Sequence, residues 1–93
     1  MISIHKVEGK DHGDIVLYAL STCVWCKRTK HLLDELGVAY RYIYIDLENE
    51  EDQAAIEKDL ERFDADVTYP TMIINDDMCI KGFDMFAIRG ALE

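Results

Sequence analysis

The spacing of apolar residues changes several times along the chain, and each change marks an element. Between residues 2 and 7, apolar Ile2, Ile4 and Val7 are interleaved with Ser3, His5 and Lys6, the pattern of a short edge strand. Residues 8–14 hold Gly9, Gly13 and mostly charged side chains, which predicts a loop. Ile15 to Leu20 is apolar throughout and suits a strand covered on both faces, as in a parallel sheet. Ser21 and Thr22 then mark a turn into a helix beginning at Val24 or Trp25 and ending at Leu36. Thr29, Leu32, Leu33 and Leu36 share its buried face, and Gly37 suits the left-handed position past its end.

The second half of the chain repeats this alternation. Val38 to Asp46 is rich in Val, Tyr and Ile and reads as a strand, with Tyr40, Tyr42 and Tyr44 packing on one face. Strand, helix and strand at this spacing require a right-handed crossover and parallel pairing. Asn49 is placed to cap a second helix whose first turn holds Glu50, Glu51 and Asp52, and Ile56, Leu60 and Phe63 form its apolar face. Thr71 to Ile74 and Met78 to Lys81 flank the turn Asn75-Asp76-Asp77, so they form an antiparallel hairpin. Asp84 then caps a last helix with Met85, Ile88 and Leu92 on its buried face. The order predicts an α/β fold: a mixed four-stranded sheet flanked by three helices, with an extra N-terminal edge strand. No repeat or linker interrupts residues 1–93, so one domain is expected.

Composition narrows the function classes. Hydrophobic residues make up 49% of the 93, which rules out a disordered chain. The net charge of −9 argues against nucleic acid, whose phosphates need a basic face. No apolar run approaches the roughly 20 residues that cross a bilayer. The start of the chain lacks the long apolar stretch of a secretory signal, so a cytoplasmic location and no membrane partner are expected.

Of three cysteines, Cys23 and Cys26 sit at Cys-x-x-Cys spacing where the first helix begins, and Cys79 stands apart as a small buried residue in a strand. A helix N-terminus carries a partial positive charge and unpaired N–H groups that reach a sulfur anion. Cys26 lies one turn beyond Cys23, within bridging distance. Such a pair exchanges disulfides: one thiol attacks and the other resolves the mixed disulfide. Lys27, Arg28 and Lys30 oppose the helix dipole in the first two turns, a local violation that suggests thiolate stabilisation, although Lys27 and Arg28 can equally point to solvent. Zinc needs four ligands, and only one cysteine pair is present, with His31 facing out of the helix. An iron–sulfur cluster needs four thiolates, hence two chains or exogenous thiols. Two inert buried cysteines are the remaining alternative.

Three separated segments resemble the glutaredoxin family of the thioredoxin superfamily. They are Ser21-Thr22-Cys23-Val24-Trp25-Cys26-Lys27-Arg28-Thr29-Lys30, then Val67-Thr68-Tyr69-Pro70-Thr71, then Lys81-Gly82-Phe83-Asp84. The resemblance spans Ile15 to Leu92 and implies a thioredoxin-like fold. It implies Cys23 as nucleophile and Cys26 as resolving thiol, the two forming a redox-active disulfide. It implies a cis bond between Tyr69 and Pro70, with the Tyr69 backbone pairing to an extended substrate. The turn of Gly82, Phe83 and Asp84 would receive the carboxylate of a small anionic thiol, and Trp25 would offer an apolar docking face.

The chain also departs from the family pattern. Val24 and Trp25 replace the usual proline and tyrosine, Leu20 stands where many members have lysine, and Met85 replaces a second aspartate. These changes remove some usual glutathione contacts, while the extra N-terminal strand and the Ala19-Leu20-Ser21-Thr22-Cys23 run look most like glutaredoxin-like proteins of archaea and anaerobes. The resemblance therefore implies a monomeric electron carrier with no bound cofactor or metal. Its donor would be glutathione, another small thiol, or a flavoprotein thioredoxin reductase, and its substrates protein or small-molecule disulfides. A hydrogen donor to ribonucleotide reductase, fed by thioredoxin reductase, and a two-chain iron–sulfur module are the alternatives.

Overall fold

The computed structural model describes residues 2–93. Its five strands are β1 (His5–Val7), β2 (Ile15–Ala19), β3 (Tyr40–Tyr44), β4 (Thr71–Ile74) and β5 (Met78–Lys81). Its three helices are α1 (Val24–Leu36), α2 (Glu50–Leu60) and α3 (Met85–Leu92). The strands form one sheet in the order β1-β3-β2-β4-β5. β2 pairs parallel with β3, while β4 pairs antiparallel with both β2 and β5. The expected edge strand is present but shorter than the alternating pattern, and it pairs antiparallel with β3, His5 opposite Tyr42.

Alternation along β2 divides the interior into two cores. Ile15, Leu17 and Ala19 face α1 and α3, where they join Leu32, Leu33, Ile88 and Leu92. Val16 and Tyr18 face the other way, toward Ile43, Ile56, Leu60 and Ile73. Leu17, Leu33 and Ile88 are fully buried. Each such side chain contributes about 1.5–3 kcal/mol of hydrophobic stabilisation.

Two element ends differ from the sequence pattern. β3 stops at Tyr44 because residues 45–47 turn as a single 3₁₀ turn. α2 stops at Leu60, and Phe63 reaches its core from the following turn, where its N–H donates to the Leu60 carbonyl. At the end of α1, Gly37 adopts φ +69° and its N–H caps the Asp34 carbonyl. That left-handed conformation strains any residue with a Cβ.

Candidate active site

The parallel pairing of β2 and β3 brings their C-terminal ends to the same edge of the sheet, and the turn into α1 leaves from there. That turn is held on both sides. The Cys23 N–H donates to the Leu20 carbonyl at 3.2 Å. The Asp46 carboxylate, just past β3, accepts from the Ser21 N–H at 2.8 Å and from the Ser21 hydroxyl at 2.5 Å. The Ser21 hydroxyl bond, foremost, holds the Asp46 carboxyl below its usual range.

Cys23 is the N-cap of α1, and its Sγ accepts a hydrogen bond from the Cys26 N–H at 3.2 Å. A sulfur therefore stands where N-caps usually present oxygen, at the positive end of the helix. Cys23 is half-buried, whereas Cys26 is only 2% exposed. Burial, and then the hydrogen bond with Cys23, push the Cys26 thiol up to about 12. The two cysteines thus differ: Cys23 is partly exposed, and Cys26 is buried with its thiol pushed toward the protonated form.

The remaining predicted residues fall into two sets. Trp25, Tyr69, Pro70, Gly82 and Phe83 line one groove of about 270 Å³. Cys23, Tyr69 and Phe83 pack against the same core as Cys26, so the groove opens beside the thiols. The Tyr69–Pro70 bond is cis, as the resemblance implies. Gly82 lies at φ +74°, and its N–H donates to the Pro70 carbonyl at 2.7 Å, which ties the turn before α3 to the proline. Asp84 caps α3 by accepting from the Ala87 N–H at 3.0 Å. Burial also raises the Tyr69 hydroxyl to about 12.

Trp25 is 53% exposed and stacks on Phe83 with ring centroids 5.8 Å apart. The Arg28 guanidinium lies 5.0 Å from the centre of the Trp25 ring. Arg28 and Lys27 line a second groove, between α1 and α3. That groove begins at Val24, next to Cys23 in the chain.

Cys79 lies apart from this site. It belongs to β5, packs against the α2-side core and is partly exposed, not buried as its strand position suggests. Among the described residues, no group of three or more His, Cys, Asp and Glu side chains is arranged to hold a metal ion. No helix among them is long and apolar enough to cross a membrane.

Asp46 shows no role in the sequence, where it reads only as the end of the Val38 to Asp46 strand. The alternation of Tyr40, Tyr42 and Tyr44 points the tyrosines to one face but gives no sign that residue 46 turns back to Ser21. The only local signal was an acid just after a buried strand.

Comparison with known proteins fits this geometry. The glutaredoxin family model matches residues 15–79. Glutaredoxin 1 of Rickettsia bellii is 36% identical over 70 residues, covering 75% of this chain and 69% of that protein. The glutaredoxin structure from Methanosarcina mazei superposes with a TM-score of 0.89 at 43% identity, over 96% of this chain and 86% of that one. Methanoredoxin from Methanosarcina acetivorans superposes with a TM-score of 0.86 at 50% identity, over 90% and 88%. The archaeal likeness expected from the N-terminal strand and the Ala19-Leu20-Ser21-Thr22-Cys23 run is thus found. Matched over most of its length by the family model, the chain belongs to the glutaredoxin family and is a thiol–disulfide oxidoreductase.

Proposed function

We propose that the chain is a dithiol electron carrier working through Cys23 and Cys26. The Cys23 thiolate attacks one sulfur of a substrate disulfide. The Cys23–substrate bond forms, the substrate S–S bond breaks, and the first substrate thiolate leaves and takes a proton. Cys26 then loses its proton and attacks the Cys23 sulfur. The second substrate thiolate leaves, and the Cys23–Cys26 disulfide remains. Two electrons pass to the substrate, and its two thiolates take up the proton lost by Cys26 and one from water.

The observation that carries this reading is the placement of the pair: the half-buried Cys23 sulfur caps α1, accepting from the Cys26 N–H at 3.2 Å, while Cys26 itself is buried. Cys26 is held protonated by burial and by its contact with Cys23. Once Cys23 is bound in a neutral mixed disulfide, the Cys23 contribution to that shift falls away. Burial, the larger cause, still acts on Cys26, so its thiol is then held up less than in the free dithiol but not freed.

The groove at Trp25, Tyr69, Pro70, Gly82 and Phe83 takes the substrate. An extended chain can pair with the Tyr69 backbone, and the positive end of α3 beside Gly82 and Phe83 suits a small thiol's carboxylate. Lys27 and Arg28 support an anion at this end of α1. The cycle closes when a small thiol or a flavoprotein reductase reduces the disulfide, in the reducing cytosol and without a bound cofactor. Ribonucleotide reductase and other disulfide proteins are then clients.

A Cys26→Ser variant treated with an oxidised substrate tests the assignment. Mass spectrometry should find one stable adduct on Cys23, while the wild type ends as an internal disulfide. An adduct elsewhere overturns the roles. Reduction of the oxidised wild type by glutathione, by other small thiols and by thioredoxin reductase with NADPH, compared at equal concentrations, identifies the donor.

A further inference from the structure

A groove of about 600 Å³ runs between α1 and α3, starting at Val24 beside Cys23 and reaching Glu35 and Arg89. Its floor is apolar: Val24, Phe83 and Met85 line it, and Val24 is 60% and Met85 44% exposed. Phe86, next on α3, is 91% exposed. Its walls carry Lys27, Arg28 and Arg89. The chain has 10 basic residues against 19 acidic ones, so three bases around one groove run against the charge of the whole molecule.

Most bases elsewhere are neutralised by a neighbour. Lys30 pairs with Asp34, Arg41 with Asp14, Arg62 with Asp59 and Asp76, and Lys81 with Asp64. Lys27 and Arg28 make no ion pair among the described residues, and Arg28 is held instead over Trp25. Within the groove, Glu35 faces His31 at 3.2 Å, and Arg89 reaches Glu93 at 2.7 Å. Both are exposed pairs, worth under about 1 kcal/mol and readily exchanged for a partner's carboxylate.

We propose that this groove docks an acidic segment of a protein client that carries one or two apolar side chains. The apolar groups cover Val24, Phe83 and Met85, and the carboxylates meet Lys27, Arg28 and Arg89. The proposal rests on the disulfide-exchange reading, because docking here holds the client's disulfide against Cys23. From Val24 to Glu35 the helix rises roughly 16 Å, so an extended client of about five residues spans the groove. The client's acids therefore lie within a few residues of its reactive cysteine. A second copy of this chain is the competing occupant, since Leu47-Glu48-Asn49-Glu50-Glu51 exposes a leucine beside acids. Two copies at −9 each repel one another over the whole surface, whereas a short client segment brings only a few charges to the groove.

The probe is a fluorescein-labelled peptide without cysteine, carrying a Leu-Phe pair flanked by glutamates, with a lysine-flanked peptide as control. Anisotropy should show the glutamate peptide binding about tenfold more tightly, the scale of one close interfacial charge pair. High salt should weaken it. Arg89→Glu should abolish the preference, and Glu35→Gln, at an exposed site outside both cores, should tighten binding a few-fold. Equal binding of the two peptides, or a preference unmoved by both substitutions, overturns the proposal. So does a dimer in sedimentation velocity that Arg89→Glu dissociates, which would assign the groove to a second copy. Turnover of hydroxyethyl disulfide, a small neutral substrate, should be unchanged by Arg89→Glu. Loss of that turnover in the wild type would instead refute the exchange chemistry and leave the binding result standing.

Discussion

A single side chain, Cys26, links the protonation of the cysteine pair to stability. Its thiol ordinarily titrates at 9.0, and burial, followed by the Cys23 hydrogen bond, raises it to about 12. The native state therefore holds the proton more tightly than the unfolded chain between these values. Stability from this group is present below pH 9 and is lost as pH rises toward 12. Other buried groups also favour alkaline unfolding, Tyr40 and Tyr69 among them, since burial raises both hydroxyls. A comparison of reduced wild type with Cys26→Ser isolates the cysteine. The wild-type melting temperature should fall faster than that of the variant above pH 9. Parallel pH profiles would mean that Cys26 is not protected in the native state. The pair was readable from sequence because Cys-x-x-Cys spacing and a following helix are local features. The inequality of the two thiols was expected from their roles, but its cause is burial by β2, α1 and α3 together.

At the scale of elements, caps were legible and tethers were not. Asn49 is legible as a cap because its side chain and the acids behind it suit a helix start. Its Oδ1 accepts from the Asp52 N–H at 2.8 Å. Asn49→Ala should cost about 1 kcal/mol in chemical denaturation. It should leave disulfide turnover unchanged, because α2 packs on the face of the sheet away from α1 and α3. Asp46 behaves in the opposite way. It joins the end of β3 to the turn before Cys23 through Ser21, a contact spanning 25 residues that no periodicity announces. Asp46→Ala should cost about 1 kcal/mol through lost hydrogen bonds. It should also slow reduction of disulfides, because the Cys23 turn loses its anchor. The Asp46 carboxyl is held below its ordinary 3.8, chiefly by the Ser21 hydroxyl. Its contribution is thus complete above that value and is lost as the acid is titrated below it. The wild type should lose more stability than Asp46→Ala on acidification below about pH 4. Equal acid sensitivity, or an unchanged rate in the variant, would remove Asp46 from the site.

At the scale of the whole molecule, charge and packing pull in different directions. Period-two and helical patterns sorted most apolar residues correctly to the two cores, because one sheet with α1 and α3 on one face and α2 on the other buries them. The same patterns misjudged the end of α2, since Phe63 reaches its core from a turn as well as it would from a helix. They also could not show the groove between α1 and α3, whose lining comes from residues 24–35 and 83–89. Charge is summed over the whole chain at −9, with ion pairs at the surface such as Lys30 with Asp34 and Arg41 with Asp14. Salt screens both kinds of interaction, so the sign of its effect shows which is larger. Exposed pairs contribute at most about 1 kcal/mol each and often nothing measurable. Repulsion among unbalanced carboxylates acts over the whole surface and opposes the folded state. Repulsion should therefore dominate, and the melting temperature at pH 7 should rise as sodium chloride is increased from low to moderate concentration. A net change of about 1 kcal/mol would appear as roughly 4–8 °C for a chain of this size. A fall over the same range would assign the larger share to the ion pairs. Binding of an acidic segment in the α1–α3 groove should weaken under the same conditions, because its attraction is local and exposed. Salt should thus stabilise the fold while loosening the docked client, a pair of opposite slopes measurable on one sample by calorimetry and anisotropy.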